Sequence, residues 1–534
     1  MIHMKRKKRS HSYYNIIFSM VTAFVIMLFC TRSSFLYAFN NWDDTNSYFS
    51  MGKAIFHGMV PYRDLFDQKG ILLYMLYGMA SLISYRSFAG VFIIEILAAA
   101  GMILALLQLQ QLYISRKLSY ILTPVAAAAI YASRAFWWGG SAEEMMLPFL
   151  VWGLFLSVRF FKESYPQPVP YRMVLTGGLL AGCIMNIKFN SLGFYFAWMA
   201  MLFLAELLHG RLLRGIRCCI LFLGGMGMVT LPWLIYFTIH HAVKEWLYVY
   251  VYLNVFLYSE KLPLLKRLYE MCKTLYFHFD YNTTWFLPAV LGGIWFVIHK
   301  TKWMEKMNFI ALSGFLTLGI FIGGVDLPYY VLPLSIFSVY GVILFGICAE
   351  KAVIFARSRM AVNTCTCVDN DPAEHAGRKK QWIKDLTGRR QRHIMFVLGL
   401  LTAVLLSAGI VIRNSQNLSY MKYRREDLWQ YQFTDIIRES GIEHPTLLNM
   451  GCFDAGLYTA AGIVPTCYFY QTQTIHLPNV ETTQYDAMWA GETDFIVTRD
   501  LEPLGIENHY ELVAEKKWQQ GEYLFTYRLY QKVK

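Results

Sequence analysis

Apolar blocks of roughly 15–25 residues recur along the whole chain, and they constrain its fold more than any other feature. Twelve such segments stand out, centred near residues 25, 78, 99, 127, 152, 180, 200, 228, 292, 316, 340 and 403. Each approaches the length needed to cross about 30 Å of hydrocarbon. A soluble core would instead break blocks of this kind with helical or strand periodicity. Only 16% of the 534 residues are charged and 56% are hydrophobic, whereas soluble domains carry about a quarter charged residues. The chain therefore reads as an integral membrane protein, mainly α, a polytopic transmembrane helical bundle.

The formal net charge of +13 raises the question of nucleic acid, but its distribution answers it. Lys5–Arg9 precede the first apolar block and a second basic cluster lies between Arg378 and Arg392. Both flank spans, as the positive-inside rule expects, so no nucleic-acid partner is expected. No small-residue cleavage site follows the first block, which points to a retained anchor rather than a signal peptide. The basic N-terminus, Arg116–Lys117, Arg159–Lys162, Arg211–Arg217, Lys300–Lys306 and the 350–393 loop are assigned to the cytoplasmic side. An even number of spans must then separate the N-terminus from Arg116, yet three apolar segments lie between them. Gly70–Tyr85, the shortest, is read as a helix lying in or dipping into the outer interface, the alternative being that it crosses and another segment does not. About eleven spans remain, the N-terminus is cytoplasmic, and the chain ends outside.

Three regions follow. Residues 1–412 form the transmembrane domain, interrupted by the basic cytoplasmic loop 350–393, whose polar composition suggests partial disorder. Residues 413–534 turn soluble in character. Arg424–Ser440 has helical periodicity, while Thr446–Met450, Asp494–Thr498 and Tyr523–Tyr530 read as strands, giving a small extracytoplasmic α/β domain. Ten cysteines show no repeated metal spacing. Cys452 and Cys467 share the outer domain and are candidates for a disulfide in an oxidising compartment.

The first outer loop, residues 41–70 (NWDDTNSYFSMGKAIFHGMVPYRDLFDQKG), concentrates the candidate chemistry. Asp43 and Asp44 follow a span and open an amphipathic segment, Ser47–His57, with Gly58 as its stop. The simplest reading of the acids is helix capping, and of Lys69, snorkelling at a helix start. The sharper reading is catalytic: a surface carboxylate acts as general base toward an acceptor hydroxyl, and a lysine on the same loop neutralises a departing phosphate. Glu143–Glu144 in RAFWWGGSAEEMMLP form a second outer acidic site, with polar flanking of the Trp137–Trp138 belt as the ordinary alternative. Lys188 is the only charge between two apolar segments and is a functional candidate by position, or else merely a turn marker. Asp326 is a weaker outer acid, and Glu95, inside a span, could serve as a structural hydrogen-bond partner and is assigned no role.

In this order of residues the chain resembles the membrane glycosyltransferases that use polyprenyl-phosphate sugars, such as protein O-mannosyltransferases and the lipid A aminoarabinose transferases. The family pattern is matched by Asp43-Asp44, Tyr48, Gly58, Pro61-Tyr62 and Lys69 before LLYML. The span Ser87–Leu107, the turn Arg116–Lys117, the acids Glu143–Glu144 and finally Lys188 continue the order, over roughly residues 10–240. The family often has Lys-Pro where this chain has Lys69-Gly70. The resemblance implies that Asp43 deprotonates an acceptor with support from Asp44, that Glu143 or Glu144 completes an acidic cavity, and that Lys69 and Lys188 hold the donor phosphate. It implies inverting transfer of a sugar from a polyprenyl phosphate to a hydroxyl acceptor (a cell-envelope polymer, lipid or protein) at the outer face of a plasma membrane. No cofactor is required, although a divalent cation between Asp43 and Glu143 stays open, as in some distant oligosaccharyl transferases. The alternative from another class is a multi-spanning transporter or lipid flippase. Internal repeats are the mark of many transporters, and none is visible here.

Overall fold

The computed structural model describes residues 2–259, 262–299, 302–365, 374–520 and 522–533, with side chains described from 12 to 356 and from 393 onward within these ranges. All twelve apolar segments are helices. Among the described residues, seven of them are long and apolar enough to cross a bilayer unaided, and an eighth candidate is the pair Leu264–Tyr281 and Thr283–His299, bent by 117°. Other apolar segments are short, among them Ile71–Ile83 and Tyr171–Met185. At 13 residues Ile71–Ile83 is only about 20 Å long, too short to span the hydrocarbon. It lies against the loop helix Asp43–Phe56, and two glycines set the approach: a Cβ on Gly52 would sit 2.4 Å from the Gly78 nitrogen.

The two ends of the bundle differ in chemistry. At one end Arg116 Nη2 donates to Asn15 Oδ1 (3.3 Å), Lys162 Nζ to the Leu112 carbonyl, and Lys302 Nζ to the Lys162 carbonyl (3.2 Å). Three basic turns thus gather around the start of the first span. At its other end Thr31 donates to Glu95 (2.8 Å), and the loop carrying Asp43 begins. Glu95, left unassigned from the sequence, is a hydrogen-bond partner inside the bundle. Helices Val339–Cys365 and Glu374–Asn414 extend into both sides of the 350–393 loop; residues 366–373, part of its expected disorder, lie outside the described residues.

Residues beyond 414 build the α/β domain. A mixed sheet of order β1-β2-β4-β3 is formed by β1 (Leu447–Met450), β2 (Phe495–Arg499), β3 (Tyr510–Gln520) and β4 (Tyr523–Lys532). β1 and β2 are parallel and the rest antiparallel. The first two strands are buried on both faces, which explains their unbroken apolar sequences. Three strands fall where the sequence reading put them; β3 was not anticipated. Cys452 and Cys467 are free thiols, so the possible disulfide is not formed. Two asparagines in glycosylation sequons are structural: Asn282 accepts from the Ala135 amide (2.8 Å), and Asn417 accepts from Arg32 (2.8 Å) and donates to the Trp137 carbonyl (3.0 Å), both fully buried.

Candidate active site

Helix Asp43–Phe56 begins at the two acids themselves, with Trp42 as the capping residue and no side-chain capping bond. Asp43 and Asp44 occupy its first turn, where the helix dipole favours carboxylates, but their side chains are turned to other partners. Asp44 Oδ2 accepts from Tyr48 (3.0 Å) and from Tyr329 (2.7 Å), whose ring meets Trp42 edge-on. Asp43 lies 3.9 Å from the Arg499 guanidinium and keeps 30% of its side chain exposed. Enclosure by protein raises its pKa to about 6; Arg499 opposes the rise, while Asp44 and Asp454 add to it. A carboxylate poised there suits a general base working near neutrality.

Lys69 and Lys188 are brought together by backbone hydrogen bonds. The Gly70 amide donates to the Ile187 carbonyl (2.9 Å) and the Leu72 amide to the Asn186 carbonyl (2.9 Å). The Gly70 contact is so close that a Cβ there would lie 2.1 Å from the Asn186 oxygen. This accounts for the departure from Lys-Pro: proline has no N–H to donate. Lys69 is buried, and its own backbone is pinned by Tyr74, whose hydroxyl accepts from the Lys69 amide (2.8 Å), and by Tyr62, which donates to its carbonyl (2.6 Å). Its ammonium makes no hydrogen bond or ion pair among the described residues. Burial works to lower the pKa of Lys69, but Asp44 and Asp67 outweigh it and hold the group charged. This is not a snorkelling lysine.

Lys188 pairs with Glu143 at 2.5 Å and sits 3.5 Å over the Tyr330 ring. Burial lowers its pKa against the pull of Glu143, with Lys69 contributing in the same direction as burial. Tyr330 in turn shares a 2.7 Å hydrogen bond with Tyr258. The cluster therefore joins Asp44, Lys69, Glu143 and Lys188, with Asp43 at its exposed edge. Glu144 turns elsewhere. Its amide donates to the Ser141 hydroxyl (2.9 Å) and its carboxylate accepts from the Gly140 amide (2.7 Å), a near capping box that shapes the start of helix Ala142–Arg159.

Sequence reasoning missed four contributors. Asp67, two residues before Lys69, is buried with one carboxylate oxygen unpartnered among the described residues. Tyr329 and Tyr330 lie in the stretch noted only for Asp326, which itself pairs with His278 (2.7 Å). Arg499 comes from β2 and carried no local signal. Asp43 and Glu143 each face a cation, and no three His, Cys, Asp or Glu side chains converge among the described residues.

This is the architecture of a polytopic membrane protein with a small α/β domain closing over a charged site at one end of its bundle. The same fold is found in two solved structures of ArnT from Cupriavidus metallidurans. One, bound to undecaprenyl phosphate, has a TM-score of 0.55 with 97% of each chain covered. The other, in the apo state, has a TM-score of 0.56 with 98% of each covered. Identity to both is 12%. No protein-family model and no curated protein sequence matches the chain.

Proposed function

We propose that the protein is a membrane glycosyltransferase that moves a sugar from a polyprenyl-phosphate donor to an acceptor hydroxyl at the outer face of the plasma membrane, with its N-terminus cytoplasmic and its C-terminal domain outside. The observation that carries the reading is the meeting of two lysines, Lys69 and Lys188, with the acids Asp44 and Glu143 at the bundle end away from the basic turns. That end-to-end charge asymmetry also supports the orientation. The solved ArnT bound to undecaprenyl phosphate shares the fold over the full chain, which supports a lipid-phosphate partner.

In the proposed step Asp43 takes the acceptor's O–H proton as its oxygen bonds to the anomeric carbon. The bond from that carbon to the phosphate oxygen breaks with inversion, and the polyprenyl phosphate leaves with its charge against Lys69 and Lys188. Asp44 and Glu143 hold the acidic wall, and Glu144 acts through the turn at Gly140. Lysines and an aspartate base supply the charge and proton transfers of this step without a metal.

The test is transfer by the full-length protein in lipid nanodiscs, using polyprenyl-phosphate sugars and envelope extracts as acceptors. Asp43→Asn should abolish transfer while eluting as the wild type does in gel filtration. Wild-type rates in that variant remove the base assignment. Cysteine labelling from outside should reach position 43 and not position 116; labelling of both from one side refutes the topology.

A further inference from the structure

Asp43 lies where the membrane domain and the C-terminal domain meet, and the residue facing it across that boundary is Arg499. The boundary is built from specific contacts. Ser47 donates to Gln471 (2.8 Å), Ser50 to Asp454 (2.7 Å) and Gln68 to Thr474 (2.6 Å), while the Phe66 amide donates to the Tyr468 carbonyl (3.0 Å). These hold the loop 43–70 to the domain along its length, so the sheet has a fixed position over the site. Arg499 ends β2, directly opposite Tyr527 of β4. Its guanidinium lies 4.9 Å over the Phe525 ring, and the Tyr527 side chain acts on it from the neighbouring strand. From that anchored position Nη1 reaches to 3.9 Å from Asp43 Oδ2.

The charges around Asp43 explain why a cation is needed there. Asp44 is its chain neighbour and Asp454 faces it from the C-terminal domain, together with the Tyr527 hydroxyl and the Cys452 thiol. Both carboxylates favour a protonated Asp43, as does burial. Arg499 is the one cation among the described groups that act on it. Lys69 and Lys188 lie with Asp44 and Glu143 instead. A neutral Asp43 accepts no proton.

We propose that Arg499 is a positioning residue of the active site: docked with the C-terminal domain, it keeps the Asp43 carboxylate charged and fixed toward the acceptor, so the catalytic base is complete only when the two domains are joined. The inference rests on the reading of Asp43 as the base.

The test is a pH titration of the full-length protein in nanodiscs by difference infrared spectroscopy, with Asp43→Asn identifying the Asp43 carboxyl band. Arg499→Gln should move the midpoint of that band upward by about one to three pH units, the range for losing an opposite charge at this distance. Arg499→Lys, which keeps the charge, should return most of the shift. If Arg499→Gln fails to fold, Tyr527→Phe, which releases the guanidinium without removing it, should raise the midpoint by a smaller amount. An unchanged midpoint in a folded Arg499→Gln or Tyr527→Phe protein overturns the proposal. The acid limb of the transfer rate separates this from the base assignment. A limb that follows the band supports both; a band that moves while transfer stays unchanged supports the Arg499–Asp43 coupling and refutes Asp43 as base.

Discussion

The Glu143–Lys188 pair allows a quantitative test of whether the cluster is built as a unit. Glu143 is 1% exposed and Lys188 14%, with Oε1 and Nζ 2.5 Å apart. The second carboxylate oxygen, Oε2, has no hydrogen-bond partner among the described residues. Lys188→Met therefore leaves a buried carboxylate with no cation at contact distance, and breaking such a pair from one side costs about 3–5 kcal/mol. Methionine keeps the packing over Tyr330, so little of that loss comes from a cavity. Glu143→Gln strands the ammonium less severely, because the Tyr330 face still offers about 0.5–2 kcal/mol of cation–π attraction. Replacing both together removes the uncompensated charge, and the double variant should return to within about 1–2 kcal/mol of the wild type. The expected signature in a double-mutant cycle is a coupling of at least about 2 kcal/mol, read from denaturant unfolding in mixed micelles. Single losses that simply add would refute the buried-pair argument. The double variant also separates stability from function: it should fold, yet lose transfer, because the phosphate has lost one of its two lysines.

Lys69→Met should weaken donor binding by about 10- to 100-fold, the worth of a charge-assisted contact, seen as a raised KM for the lipid donor with unfolding unchanged or improved. Gly70→Pro, which introduces the residue common in the resembling family, should be destabilising by about 1–3 kcal/mol, because it deletes the amide bond to Ile187 and drives ring atoms toward the Asn186 carbonyl; thermal unfolding reads it, and a wild-type melting temperature contradicts the packing account. Transfer should fall as pH drops through about 6. The sign follows from the role: a base works deprotonated, and the raised pKa of Asp43 places its protonation on the acid side of neutrality. A rate flat down to pH 5 argues against Asp43 as the titrating base.

Why some parts were legible in the sequence and others were not has a physical basis. A bilayer forces each crossing into one long apolar helix, so twelve helices could be counted from composition alone, and the same uniformity lets a fold persist at 12% identity. Charged residues beside those blocks stand out for the same reason, which is how Asp43, Asp44, Lys69, Glu143 and Lys188 were singled out. Long-range partners leave no such mark. Arg499 lies 456 positions beyond Asp43, at the end of an ordinary buried strand, and Tyr329 acts through a hydroxyl that composition cannot distinguish from those of an aromatic belt. β3 escaped because its charged residues (Glu511, Glu515, Lys516 and Lys517) keep it from looking apolar; most of it is solvent-exposed at the sheet edge. Glu144 shows the opposite error, since a carboxylate next to a candidate acid looks equivalent in sequence, yet one helical step turns it 100° away into the Gly140 turn. The Lys69-Gly70 step is the most instructive. Where the resembling family often has proline, here the glycine amide and the absent Cβ draw the loop onto Asn186 and Ile187, and it is that contact which sets Lys69 beside Lys188. In this chain, then, the residue after the lysine is tied to the backbone contact that brings Lys69 toward Lys188.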